Sequence, residues 1–373
     1  MRRRARGAVL YEADANMNRP STLFRTAARS GVLRRLSEGF GEVTKTVRPS
    51  LASVSLVLLG FGLTGVPSFA HAASDVAAVA PAAPLPEGFT EKSATVNGAR
   101  INYKIGGKGP VVVLLHGYAE TSHMWVPLLP QLAKTRTVIA PDLRGAGDSE
   151  RPPGGYDKKT LAVDIRELVH KLGYDQPVEV VGHDIGLMVA YAYAAQYPTE
   201  VSKIVLMDAF LPGVGDWTHV WLLRDLWHFH FYGETPLALV KGRERIYFEH
   251  FWNDFAADKT KSVPEADRQL YAAAYARAEG MRAGFEYFKA FEQDAKDFEQ
   301  FSKTKLSTPM LVISGEKAGG TFLIDQARLV DTNVQGVVVE GSGHWLMEEA
   351  PRQVIPLIVT FLNDGAVRKA EAR

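Results

Sequence analysis

Cysteine is absent from all 373 residues. That excludes disulfides, a thiolate nucleophile and any cysteine-ligated metal site, and it suits an exported chain without requiring one. A large net charge is missing too, since 43 Lys and Arg stand against 42 Asp and Glu. The balance is uneven along the chain. Residues 1–50 hold 11 basic and 4 acidic residues, residues 51–72 hold neither, and the remainder holds 32 basic and 38 acidic. A mildly acidic body offers no field that would gather nucleic acid, so no nucleic-acid partner is expected. With 46% hydrophobic and 23% charged residues the composition is that of an ordinary folded protein with a substantial core.

Long uncharged runs are scarce, and the one that stands out lies near the start. A basic stretch up to Arg48 precedes the run from Leu51 to Ala70, which ends in the small-x-small pattern Ala70-His71-Ala72. This reads as a targeting segment over 1–72, with cleavage after Ala72 and export to the periplasm or the medium. Gly60, Gly62, Gly65 and Pro67 interrupt the run and argue against a retained anchor, so no stable membrane association is expected after cleavage. Met17 is an alternative start. Residues 73–88, rich in Ala and Pro, read as a linker, and the fold is expected from Phe89 onward.

Beyond that point short apolar β-branched runs alternate with amphipathic stretches, the pattern of an α/β protein with a mostly parallel sheet covered by helices on both faces. The runs fall at 111–115, 137–140, 178–181, 203–207, 310–314 and 335–339, and helical patterns at 157–172 and 187–197. About a hundred residues separate Met207 from Met310, too many for one crossover. Their helical periodicity and four of the six tryptophans point to an inserted helical cap over 211–303, between core segments 89–210 and 304–366. An aromatic cap suits a lid that excludes water from a site.

The sharpest chemical signal is Gly182-His183-Asp184-Ile185-Gly186, which directly follows a strand pattern and opens a helix. A strained strand-to-helix bend needs small neighbours and pushes its central side chain outward, here a carboxylate. A carboxylate nucleophile attacks saturated carbon and forms an alkyl-enzyme ester, which water must then hydrolyse. The second step calls for a general base, and His344 in Gly341-Ser342-Gly343-His344-Trp345 follows the last strand. An orienting acid should fix its tautomer. Asp208, after the strand that follows the elbow helix, is favoured over Glu316, which comes early in the loop after 310–314. Backbone N–H groups of Tyr118, in His116-Gly117-Tyr118, and of Ile185 are the expected oxyanion donors. The turn-rich segment Pro141 to Ser149 is expected to shape the rim.

Taken together, His116-Gly117, the segment Asp142 to Ser149, the elbow and the His344 loop resemble the epoxide hydrolase and dehalogenase branch of the α/β-hydrolases, over about residues 86–364. The string Trp227-His228-Phe229, with Glu244-Arg245 and Glu249-His250-Phe251 after it, adds a likeness to secreted bacterial epoxide hydrolases of that branch. The resemblance implies the α/β-hydrolase fold with a helical cap, a small-molecule epoxide as partner, and neither cofactor nor metal; a homodimer is left open. It also implies a cap donor for the leaving oxygen. His228 matches the first such position, whereas the second, usually tyrosine, falls at Phe288, so that either His228 acts alone or Tyr287 next to it, or Tyr232, stands in. Haloalkane dehalogenases resemble one another in a Trp after the nucleophile, and fluoroacetate dehalogenases in an Arg there and another three residues on. Ile185 and Met188 supply neither. A dehalogenase of the same branch, or a binding protein that keeps the fold without activity, are the alternative readings.

Overall fold

The computed structural model describes residues 9–11, 81–364 and 366. Nine strands form one sheet: β1 (Val9–Tyr11), β2 (Phe89–Val96), β3 (Ala99–Gly107), β4 (Val111–Leu115), β5 (Thr137–Pro141), β6 (Val178–His183), β7 (Val201–Met207), β8 (Met310–Gly315) and β9 (Val334–Val339), in the spatial order β1-β9-β8-β7-β6-β4-β5-β3-β2. From β5 to β9 every neighbouring pair is parallel, and β4, β5, β6 and β8 are buried along their whole length, as strands covered on both faces must be. All six apolar runs read from the sequence are strands. The hairpin of β2 and β3 was not read. Its turn, Asn97-Gly98, has φ of 43° and 74°, the left-handed pair that a two-residue hairpin demands.

The helices of the core are α1 (Leu129–Leu132), α2 (Lys158–Lys171) and α3 (Ile185–Gln196) before the insertion. Those of the insertion are α4 (Trp217–Trp221), a 3₁₀ segment Arg224–His230, α5 (Glu234–Val240), α6 (Glu244–Asp254), α7 (Glu265–Ala276), α8 (Gly280–Lys289) and α9 (Phe291–Phe301). The chain then returns to the core for α10 (Phe322–Val330), α11 (Leu346–Glu349) and α12 (Pro351–Asp364). Buried apolar residues form one cluster on each face of the sheet, the larger shared by α2, α3 and the insertion, the smaller filled by Val354, Ile358, Phe361 and Leu362 of α12. Residues 185–194 of α3 are all buried, which explains why that helix is apolar on every side.

Bonds of unlike kind tie the insertion to the core. Lys158 and Asp294 form an ion pair of 2.7 Å with both side chains fully buried, and the same ammonium donates to the Tyr287 carbonyl at 2.6 Å. Burial holds the Asp294 carboxyl up at about 6, against the pull of Lys158. Two indoles also cross the boundary: Trp252 donates to the Ala119 carbonyl and Trp345 to that of Phe251, each at 3.1 Å.

Within the segment read as targeting, Val9–Tyr11 pairs antiparallel with residues 336–338 of β9. The outer edge of β9 is a row of unpaired amides and carbonyls, which a short β-prone segment can satisfy. The remainder of the expected targeting segment, including Ala72, lies outside the described residues. Among the described residues no helix is long and apolar enough to cross a membrane.

Candidate active site

The elbow forms because β6 delivers the chain straight into α3. Asp184 stands between them at φ 50°, ψ −121°, a region a non-glycine residue occupies only when its surroundings force it. Its neighbours show the force. A Cβ on Gly182 would lie 2.3 Å from the Gly186 carbonyl oxygen, and one on Gly186 would lie 2.2 Å from that of Leu115. Side chains at either place are therefore excluded, and the Asp184 carboxylate is turned away from the crowded bend.

Three loops at the C-terminal ends of the parallel strands converge on that carboxylate. From the loop after β4, the Tyr118 N–H donates to Asp184 Oδ1 at 2.8 Å. From the loop after β9, His344 Nε2 stands 3.9 Å from Asp184 Oδ2. From the end of β7, Asp208 Oδ2 lies 2.8 Å from His344 Nδ1. Asp208 is itself fixed: its Oδ1 accepts from the amides of Gly315 at 3.0 Å and Gly319 at 3.3 Å. Glu316 is exposed, pairs with Lys317 and accepts from the Gly341 amide, so the carboxylate on the histidine is that of Asp208. Ile185 opens α3, where first-turn amides have no partner within the helix. Asp184 keeps 21% of its side-chain surface and His344 14%, which leaves the pair open to a small molecule.

A sheet with this elbow, and an Asp-His-Asp set carried on its strand ends, agrees with a family model described as alpha/beta hydrolase fold, which matches residues 110–351. The chain belongs to the alpha/beta hydrolase family. Over 282 residues this hydrolase is 34% identical to the soluble epoxide hydrolase of Corynebacterium sp. (strain C12), covering 73% of this chain and 97% of that protein. Over 300 residues it is 28% identical to the fluoroacetate dehalogenase of Burkholderia sp, covering 75% and 95% respectively. The solved Cif epoxide hydrolase from Acinetobacter nosocomialis shares the fold, with a TM-score of 0.67 at 24% identity over 75% of this chain and 90% of that one.

Over the hydrolase site the insertion contributes an aromatic wall. His228, on the 3₁₀ segment, is buried with its ring 4.7 Å from Phe251, 5.2 Å from Phe288 and 5.5 Å from Phe255. Burial, helped by His250 and His344, holds its pKa well below the usual imidazole value, so it is neutral near pH 7. Its Nδ1 is buried with no hydrogen-bond partner.

Tyr287 does not fit the place kept for it as a second donor. Its hydroxyl donates to the Arg144 carbonyl, and its ring packs edge-on against Tyr156 at 5.6 Å. Neighbouring positions on a helix face different directions, so Phe288 lines the wall while Tyr287 is spent on docking α8 to the core. Tyr232 is half-buried against the large apolar cluster.

Two residues at the site had no role read for them. His183 Nδ1 lies 3.1 Å from Glu120, its Nε2 lies 3.0 Å from the His344 carbonyl oxygen, and the two imidazoles are 4.6 Å apart. Burial opposes a charge on His183, but the Glu120 carboxylate outweighs it and pushes the pKa up to about 9. Held protonated, His183 donates from both nitrogens and pins the backbone of His344. A signal was present for His183, which adjoins Asp184 in the elbow, whereas Glu120 lies two residues beyond the His116-Gly117-Tyr118 motif.

The segment Pro141 to Ser149 is held by its own bonds. Asp142 accepts from the amides of Ser122 and Asp148 at 2.9 and 3.0 Å. His116 joins that segment to the Tyr118 loop by accepting from the Leu143 amide at 3.0 Å.

Proposed function

We propose that this α/β hydrolase opens epoxides to vicinal diols through a covalent ester on Asp184. The observation that carries the reading is His228, buried among the rings of the aromatic wall beside an Asp184-His344-Asp208 set whose Asp184 carboxylate already accepts from a backbone amide. In the first step Asp184 Oδ2 bonds to an oxirane carbon and the C–O bond breaks. His228 offers a ring N–H to the departing oxygen, and since Nδ1 is sealed, Nε2 is the nitrogen that presents it. The oxygen ends as a hydroxyl with a proton drawn from water, and the hydroxide so released is neutralised by the proton that Asp184 sheds when its ester is hydrolysed, so His228 stays neutral throughout.

In the second step His344 takes a proton from water and the hydroxide adds to the ester carbonyl. The N–H groups of Tyr118 and Ile185 receive the developing oxyanion. Collapse expels the diol oxygen, which recovers the proton from His344. Asp208 holds the imidazole in the required tautomer and stabilises its charge between the two transfers.

The buried side chains beside the nucleophile, Ile185 and Met188, offer neither an indole N–H for a halide nor a guanidinium for a carboxylate. Epoxide opening is therefore favoured over dehalogenation, although a fluoroacetate dehalogenase is among the relatives. Intact-mass spectrometry after incubation with an epoxide panel tests the reading. The His344→Gln protein should accumulate an adduct of epoxide mass, and Asp184→Asn should not. Halide release from haloacids by the wild type, with no diol from any epoxide, would replace this reading with a dehalogenase.

Export belongs to the same proposal. Protein recovered from the periplasm of an expressing host should have a mass that begins at Ala73; a mass beginning at Met1 or Met17 would contradict cleavage.

A further inference from the structure

Besides Nδ1 of His228 and Nε2 of His250, the aromatic wall holds two buried polar atoms without a hydrogen-bond partner, the hydroxyls of Tyr118 and Tyr247. They come from opposite sides of the site. Tyr118 belongs to the core loop that holds the nucleophile, and Tyr247 to α6 of the insertion. Both rings stand 5.2 Å from Phe251, whose other neighbour is His228 at 4.7 Å. The two hydroxyls lie within interaction reach of one another and have no other partner.

Room for this arrangement is made at Gly284 of α8. A Cβ there would stand 3.0 Å from the Tyr118 ring and 3.3 Å from its hydroxyl oxygen. The remaining ring neighbours of Tyr118 are Phe248, Tyr275 and Phe288, none of them charged. Tyr191 and Tyr271 also bury unbonded hydroxyls, but Tyr191 packs on Phe298 of α9 and Tyr271 beside Trp252, away from the Phe251 wall.

Burying an unmatched hydroxyl destabilises a folded chain. Two of them side by side on the wall of a site point to a group that arrives with the substrate. We infer that the Tyr118 and Tyr247 hydroxyls form a binding subsite for one uncharged oxygen function on the substrate chain beyond the oxirane. An ether or carbonyl oxygen has two lone pairs and can accept from both hydroxyls at once, and a substrate hydroxyl can accept from one and donate to the other. A carboxylate is disfavoured, because these ring neighbours supply no cation to balance it. The substrate class is then oxygen-functionalised epoxides rather than plain hydrocarbon ones. This inference rests on the epoxide hydrolase reading.

The test compares kcat/KM for 1,2-epoxyhexane with a series in which one chain methylene is replaced by an ether oxygen or a carbonyl at successive positions. Wild-type enzyme should favour at least one oxygenated member by about tenfold or more. That preference should fall to near unity in Tyr247→Phe and in the Tyr118→Phe/Tyr247→Phe double variant. The free Tyr247→Phe protein should melt higher than wild type, because it sheds a buried group that had no partner. Turnover without an oxygen preference, a preference that survives both substitutions, or a lower melting temperature for Tyr247→Phe would each overturn the subsite. Failure of the wild type to open any member removes the parent reading and the subsite with it.

Discussion

The core and the insertion meet at one site but hold their side chains by different physics. On the core side each member of the proposed catalytic set is fixed by hydrogen bonds at a strand end: Asp184 by the Tyr118 amide, Asp208 by the amides of Gly315 and Gly319, His344 by Asp208 and by His183 behind it. On the insertion side His228 sits among phenylalanine rings, and its Nδ1 bonds to nothing. A bonded frame fixes position and protonation state together. An apolar wall fixes protonation by burial and position only by packing. Substitutions in the core should therefore stop one chemical step cleanly, and substitutions in the insertion should trade rate against stability.

The largest expected effect is on the core side. Asp208→Asn should lower turnover by on the order of 10³- to 10⁴-fold, with the ester accumulating on Asp184, while Glu316→Gln stays near wild type. Steady-state diol formation with intact mass measures both, and the opposite ranking would move the orienting acid to the other loop. Next is the joint between the regions. Lys158→Met should destabilise by about 3–5 kcal/mol because it strands the Asp294 carboxylate, and adding Asp294→Leu should restore most of the loss. Denaturant unfolding reads this; equal instability of single and double variants would show that the ion pair is not what matters there.

The same joint has a pH signature. Because the Asp294 carboxyl is held up at about 6 in the folded chain, it binds its proton more tightly than in the unfolded chain. Its contribution to stability is present below about pH 4 and is lost as pH rises through about 6. Asp294→Asn should flatten that part of the stability profile.

On the insertion side His228→Phe should slow ester formation by about 10²-fold, measured as single-turnover adduct growth in the His344→Gln background. An unchanged rate would take His228 out of the chemistry. The smallest effect is expected from Tyr287→Phe, which should cost about 1–3 kcal/mol of stability by leaving the Arg144 carbonyl unpaired. Ester formation should persist; a collapse of that rate at unchanged stability would make Tyr287 a donor after all.

The same division explains what could be read in advance. The central strands, the elbow and the His344 loop were legible because continuous apolar runs and a glycine-flanked nucleophile have one structural meaning each. Asp208 followed from loop position. Tyr287 could not be judged, because whether it or Phe288 faces the site depends on how α8 rotates against the core, and no local pattern encodes that rotation. The β2–β3 hairpin had its Asn97-Gly98 signal but weak strand patterning, since much of β2 is exposed. The pairing of Val9–Tyr11 with β9 is long-range, and composition near the start gave it no separate mark.

The carboxylate bonded to His344, that of Asp208, departs from the end of β7, yet its second oxygen is gripped by main-chain amides at the end of β8 and in the loop beyond. That loop is thereby relieved of supplying a reactive side chain and supplies only its path. Every amino acid except proline carries the needed amide, and the side chains of Glu316 and Lys317 bond to one another and, through Glu316, to the Gly341 amide rather than to Asp208. Gly319 is more constrained, since a Cβ there would stand 3.3 Å from Asp208 Oδ1.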